Sequence, residues 1–239
     1  MQGSRSLVRS GFAALGLIVA GTAAAGGSFV CEYAARVQVG TIHGDASPFL
    51  YEASGLVQSR RQPEVFWSHN DNGGDERLFA LLRSGGYLGT YDLAVGMPTR
   101  DIEDIAIGPG PTGGLQYVYL ADVGHNWGIW GCTTAGSNTG NCAGCVLPND
   151  CRERDLRVSR ALEPDVSPQQ AYVEVFNHPA TTFSFRFPDA SMLGRRQDVE
   201  ALMIDPLTRD LYFVTKSTTP AMVFRADYPY SNTQLTWVA

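Results

Sequence analysis

Three stretches of this chain open with the same local grammar: Tyr51-Glu52-Ala53-Ser54-Gly55-Leu56-Val57, Asp101-Ile102-Glu103-Asp104-Ile105-Ala106-Ile107 and Asp198-Val199-Glu200-Ala201-Leu202-Met203-Ile204. Each sets a polar or acidic start ahead of an alternating apolar run, the period-two pattern of a strand. Three more strand-like runs follow before the pattern restarts. The first set falls at 52–58, 64–68, 77–82 and 87–93, and the second at 102–107, 116–122, 156–162 and 182–187. The third falls at 199–204, 211–215, 221–226 and 234–238. Turn-forming clusters separate them, among them Asp71-Asn72-Gly73-Gly74, Ser84-Gly85-Gly86 and Asp205-Pro206-Leu207-Thr208-Arg209-Asp210. One further strand is expected at 34–43, and no helical periodicity follows the N-terminal segment.

A four-stranded unit repeated in this way is the signature of a β-propeller blade. The expected fold is therefore all-β: an incomplete propeller of about three four-stranded blades. Blades are expected at 51–95, 101–188 and 198–239, with a closing-type strand within 26–50 and a cysteine-rich insertion at 131–151. Propellers typically close with about four to eight blades. Three leave an open arc with uncovered sheet faces, so the chain reads as a truncated propeller or as one that self-associates.

Composition narrows the setting. With 44% hydrophobic and 18% charged residues the chain can build a sizeable core, which excludes a disordered protein. Residues 1–25 read as a cleaved Sec-type signal: Arg5 and Arg9 form a basic start, 11–20 an apolar stretch too short to span a membrane, and Ala23-Ala24-Ala25 a small-residue cleavage site. Secretion or a periplasmic location follows, with no membrane span after cleavage. The formal charge of −6 becomes about −8 when the two signal arginines leave. That acidity argues against nucleic acid and anionic membranes as partners and suits cations.

An oxidising compartment also accounts for the five cysteines. Four crowd together as Cys132, Cys142, Cys145 and Cys151, in a Gly-, Asn- and Thr-rich segment with no strand alternation. A four-cysteine zinc site usually brings two C-x-x-C knuckles, and here only Cys142-Ala143-Gly144-Cys145 is one. Two disulfides stapling a surface loop are expected, their pairing open among three arrangements. Cys31 is then left over.

Repeat geometry also says where polar residues meet. The first two strands of a blade are antiparallel neighbours, so the start of one and the end of the other share a rim. The first blade brings Glu52 to His69, Asn70, Asp71 and Asn72. The second brings Asp101, Glu103 and Asp104 to Asp122, His125 and Asn126, and the third brings Asp198 and Glu200 to Lys216. All of these are expected at one mouth of a central channel. Carboxylates are disfavoured in strands, and such a cluster is costly unless hydrogen-bonded, metal-bound or functional. Glu103, Asp104, Asp122 and Glu200 are the candidate ligands of a divalent cation, with Ca²⁺ the best fit to hard oxygen ligands. His69 and Lys216 are the candidate substrate contacts. Each residue also has a structural reading: Asp and Asn favour turns, Lys216 can serve as the counter-ion of Glu200, and isolated histidines are often hydrogen-bonded supports. Residues 70–76 have calcium-loop composition without the EF-hand spacing. No G-x-S-x-G, H-E-x-x-H or phosphate-cradling glycine loop occurs.

Taken together, Ser54-Gly55-Leu56, Trp67-Ser68-His69-Asn70-Asp71, Arg77-Leu78-Phe79-Ala80, Asp101-Ile102-Glu103-Asp104-Ile105-Ala106, Ala121-Asp122-Val123-Gly124-His125-Asn126, Asp198-Val199-Glu200-Ala201-Leu202 and Thr215-Lys216 resemble a family of secreted bacterial β-propellers similar to the phytase-like (esterase-like) group. Two features depart from that family: His125-Asn126 stands where members carry Asp-Asn, and the cysteine-rich insertion follows Trp127. The resemblance implies a calcium- or phosphoester-related role at the channel mouth, with a small-molecule or extracellular ligand. Two functions are therefore expected as alternatives: a metal-dependent phosphoric ester hydrolase, or a non-enzymatic extracellular scaffold binding a protein or glycan.

Overall fold

Alternating apolar residues commit each run to a strand with one face to bury, and the strands assemble into three sheets. In the computed structural model the described residues are 38, 41–42, 50–71, 77–92, 101–124, 156–166, 174–175, 180–188, 198–216 and 220–239. The expected signal, the cysteine-rich insertion with Cys132, Cys142, Cys145 and Cys151, and the site candidates Asn72, His125 and Asn126 lie outside them. Of the strand expected at 34–43, residues 38, 41 and 42 are described and belong to no strand.

Among the described residues there are thirteen strands and no helix. Sheet one holds β1 (Ala53–Gln58), β2 (Val65–Asn70), β3 (Arg77–Leu82) and β4 (Tyr87–Asp92). Sheet two holds β5 (Ile102–Pro109), β6 (Gln116–Asp122), β7 (Leu156–Leu162) and β9 (Thr181–Phe185). Sheet three holds β10 (Val199–Ile204), β11 (Leu211–Thr215), β12 (Val223–Ala226) and β13 (Thr236–Trp237). In each, the four strands pair antiparallel in chain order. One element escaped the sequence reading: β8 (Glu174–Val175) adds a fifth strand to sheet one, parallel to β4. Two residues carry too little alternation to reveal a strand, and a parallel pairing has no turn to announce it.

Register makes the three sheets superimposable as sequence. The first strand pairs with the second through Ala53↔Asn70, Ile102↔Asp122 and Val199↔Thr215, followed in each by a bulge. Beyond it Leu56↔Ser68, Ile105↔Leu120 and Leu202↔Phe213 are equivalent pairs. A bulge inserts one unpaired residue and bends the strand. At the first inserted position stand Ser54, Glu103 and Glu200.

The sheets stack face to face, with β5 lying beside β1 on one side and β10 on the other. Trp67, Leu78 and Ala80 of sheet one bury against Ile105, Ile107 and Val118 of sheet two. On the far side of sheet two, Tyr119, Val158 and Phe185 bury against Leu202, Leu211 and Phe213 of sheet three. Phe185 and Phe213 meet edge to face at 5.4 Å across that second core. Each fully buried aromatic of this size contributes on the order of 2–3 kcal/mol through burial alone. Polar pins lock the first seam at the rim opposite the acidic residues. The Trp67 indole N–H donates to Glu163 Oε1 at 3.1 Å, and the Arg61 guanidinium lies 3.5 Å from Glu163 Oε2. The Glu163 carboxylate is fully buried there, paired between two sheets.

Candidate cation site at the acidic rim

Backbone bonds fix the rim before any acid acts. The carbonyls of Glu52, Asp101 and Asp198, each just ahead of a first strand, accept the N–H groups of Asp71 (2.9 Å), Gly124 (3.1 Å) and Lys216 (2.7 Å). The side chains at the ends of the second strands reinforce this: Asn70 Oδ1 accepts the Glu52 N–H at 3.1 Å, and Asp122 Oδ1 accepts the Asp101 N–H at 3.0 Å. Sheet is tied to sheet by the Ile102 N–H donating to the Asp71 carbonyl at 3.1 Å and by the Ser54 hydroxyl donating to the Glu103 carbonyl at 2.9 Å.

On this frame three carboxylates converge. Asp71, Asp101 and Glu103 each offer an oxygen, and the three oxygens lie within 4.8 Å of one another. Asp101 is 1% exposed and Glu103 is 6% exposed. Asp71 Oδ1 and Glu103 Oε1 are buried with no hydrogen-bond partner among the described residues. Asp71 lies close enough to Glu103 for a side-chain hydrogen bond, which two ionised carboxylates satisfy only by sharing a proton or a cation. Burial, and then the charges of Asp71, Glu200 and Asp101, push the Glu103 carboxyl up to about 8. Gly124 closes the site from one side. A Cβ at that position would stand 2.1 Å from Glu103 Oε1 and 2.5 Å from Asp101 Oδ2, so only glycine lets the backbone approach this pair.

Sheet three brings a second acidic pair with its own cation. Lys216 Nζ donates to Glu200 Oε1 at 2.9 Å, and the lysine is 65% exposed. Its pKa is raised by that hydrogen bond and charge, with Asp198 and Glu103 adding to it. Burial, with Glu200 next, pushes Asp198 up to about 6. Asp198, Glu200 and Lys216 thus share an electrostatic field with the three-acid cluster.

Other candidates have different work. Asp104 points away from the cluster: its Oδ1 accepts the Ile105 N–H at 2.8 Å, and its Oδ2 accepts the Leu202 N–H at 2.8 Å. Both oxygens therefore serve the backbone of β5 and β10, and Asp104 does not belong to the converging group of Asp71, Asp101 and Glu103. His69 is fully buried. Its Nε2 accepts the Gly55 N–H at 3.1 Å, so the ring proton sits on Nδ1 and is donated to the Asn70 carbonyl at 2.9 Å. Burial lowers its pKa and keeps it neutral. A ring enclosed in this way braces β1 against β2 and is out of reach of a substrate at the rim. Asp122 orients Asp101 through the N–H it accepts. Glu52 is exposed and contributes its backbone to the frame. Sequence reasoning placed Asp71 and Asp101 at the mouth, with Asp71 inside a stretch of calcium-loop composition, and it gave Gly124 no role of its own. The Gly124 signal was present in the chain, as a glycine two residues after a strand-ending aspartate.

No protein-family model matches this chain, and no curated protein matches it.

Proposed function

We propose that this chain is a propeller-type protein, exported from the cell and akin to the phytase-like group, whose acidic rim binds a divalent cation. Asp71, Asp101 and Glu103 are the ligands, and a site built wholly from carboxylates selects a hard ion such as Ca²⁺. The observation that carries this reading is the buried Glu103 Oε1, which has no partner among the described residues and sits beside two further carboxylates. Ionising these converging buried carboxylates is costly; a retained proton relieves that cost, and a bound cation relieves it when the proton leaves.

The reaction such a site would support is phosphoester hydrolysis. A bound cation polarises a phosphoryl oxygen and lowers the pKa of its water, and Lys216, exposed and ion-paired with Glu200, would contact the anionic ligand. The second reading is a non-enzymatic extracellular scaffold that binds a protein or glycan. It is favoured by one observation: His69 and Asp104, two groups suited to proton transfer or metal binding, are both committed to backbone bonds.

Isothermal titration of the chelator-stripped protein with CaCl₂ tests the cation site. Saturable binding that is lost in Glu103→Gln is expected, and no heat with Ca²⁺, Mg²⁺ or Mn²⁺ overturns it. Turnover of p-nitrophenyl phosphate that disappears with chelator and in Lys216→Ala supports the hydrolase. Binding without turnover supports the scaffold.

A further inference from the structure

Sheet one packs one face on sheet two, and this chain itself covers much of the other. Leu50 buries there with Phe79 and Leu81, and Phe66 and Tyr87 pack on that cluster. Thr41 and Ile42 extend the cover. The Thr41 N–H donates to the Ser84 carbonyl at 3.2 Å, which pins it to the β3–β4 turn. Gly85 permits that approach. Its φ is 89°, and a Cβ on it would lie 2.0 Å from the Thr41 carbonyl oxygen.

The cover leaves a gap. An apolar cavity of about 250 Å³ lies between Ile42 and the sheet, lined by Leu56, Phe66, Leu81 and Leu82. Leu81 is 2% exposed, so the core closes the cavity beneath. Leu56 is 62% exposed and Ile42 42%, so the cavity opens to solvent beside them. At the repeat position of Leu56 stand Ile105 and Leu202, each 3% exposed. An apolar side chain that the fold buries twice is left here for something else to cover.

Arg83 indicates the chemistry of that occupant. It lines the same cavity, is exposed, and has no hydrogen bond or ion pair among the described residues. An apolar cavity with a single guanidinium beside it suits a ligand with a saturated chain and one carboxylate. A cavity of about 150 Å³ with such a lining admits benzene, so this one has room for a longer chain. The β3–β4 turn stands at the end of sheet one remote from Asn70 and Asp71, because Val65 pairs with Leu82 and His69 with Leu78. The cavity is therefore separate from the acidic rim.

We infer that this cavity binds a free medium-chain fatty carboxylate, its alkyl chain between Ile42 and the face of sheet one and its head group on Arg83. The inference stands apart from cation binding.

Isothermal titration of the full chain in chelator with octanoate, decanoate and octanol, each below micelle formation, tests this. Saturable binding at one site is expected, with decanoate on the order of tenfold tighter than octanoate because two more methylenes are buried. Octanoate should bind more tightly than octanol. Arg83→Gln should remove that preference and leave octanol binding in place. Leu56→Trp should fill the cavity and weaken all three ligands at least about tenfold. Leu56 is exposed, so circular dichroism and melting of that variant should match wild type. Glu103→Gln should bind decanoate as wild type does. No saturable binding of decanoate, equal affinity for octanoate and decanoate, or decanoate binding indifferent to Leu56→Trp would overturn the inference. So would an octanoate preference that survives Arg83→Gln. Sedimentation velocity in parallel tests a second copy as the occupant: a dimer that excludes decanoate would overturn it too.

Discussion

Glu103 carries the largest consequence of any single residue here. Its carboxyl rises from an ordinary 4.5 to about 8, and Asp198 rises from 3.8 to about 6. Both are therefore held protonated in the cation-free fold at pH values where the unfolded chain would ionise them. Their stabilising effect is full below about pH 4 and is lost as pH rises through about 6 for Asp198 and about 8 for Glu103. In chelator, then, Glu103→Gln should gain stability relative to wild type as pH climbs from about 5 to about 8, by roughly 2–3 kcal/mol after allowance for screening at the rim. Urea melts across that range check it. A gap that does not widen with pH means that Glu103 is ionised in the fold. Added Ca²⁺ should reverse the wild-type loss, because it replaces the proton. Gly124→Ala strikes both members of the pair. The new Cβ meets Glu103 Oε1 at 2.1 Å and the Asp101 carboxyl carbon at 2.4 Å, and both residues are buried, so the rim must shift. Calcium affinity should fall at least about tenfold, with a loss of thermal stability that an unchanged melting curve would contradict.

Bulges decide the chemistry at the scale of the element. Glu103 and Glu200 stand where the ladder skips a residue, so neither has a cross-strand partner in the register. Asp104 holds the central bulge in shape by accepting from Ile105 within β5 and from Leu202 on β10. Removing it in Asp104→Ala leaves two N–H groups without that acceptor, at a cost of about 2 kcal/mol or more. Asp104→Asn keeps one acceptor and should recover part of the loss. Chemical denaturation of both variants, with calcium titration in parallel, measures stability and site geometry together. A loss of calcium binding with no loss of stability would instead make Asp104 a ligand.

Stacking sets the energetics of the whole molecule. The same repeat position gives Leu202, buried between sheets two and three, and Leu56, open on the outer face of sheet one. Leu202→Ala should cost about 2–5 kcal/mol through lost burial and the cavity left behind. Leu56→Ala should cost less than about 1 kcal/mol in dilute protein, as exposed positions do. Equal costs in unfolding experiments would mean that Leu56 itself is covered. The contrast arises because neighbours, and not the residue itself, determine what a leucine contributes in a repeat.

Much of this was legible from residues alone. Period-two alternation and Gly-, Asn- and Asp-rich turns located twelve of the strands, and 77–82, 116–122, 156–162, 199–204 and 211–215 match observed bounds. Antiparallel pairing also brings Asp101 to Asp122 within sheet two and Asp198 to Lys216 within sheet three, since adjacent strands share their ends; how the sheets stack depends on tertiary packing. What each side chain does there was decided only in three dimensions. Asp104 and Glu103 are sequence neighbours of similar chemistry, yet the bulge turns one carboxylate to backbone amides and buries the other beside Asp71, its Oε1 without a hydrogen-bond partner among the described residues. His69 reads as a reactive group until burial and two backbone bonds make it a brace. Glycine at 124 matters only because folding brings Asp101 and Glu103 against it. Local pattern reports which backbone state a segment prefers, whereas solvation and partner identity depend on segments distant in sequence, and those terms assign the roles.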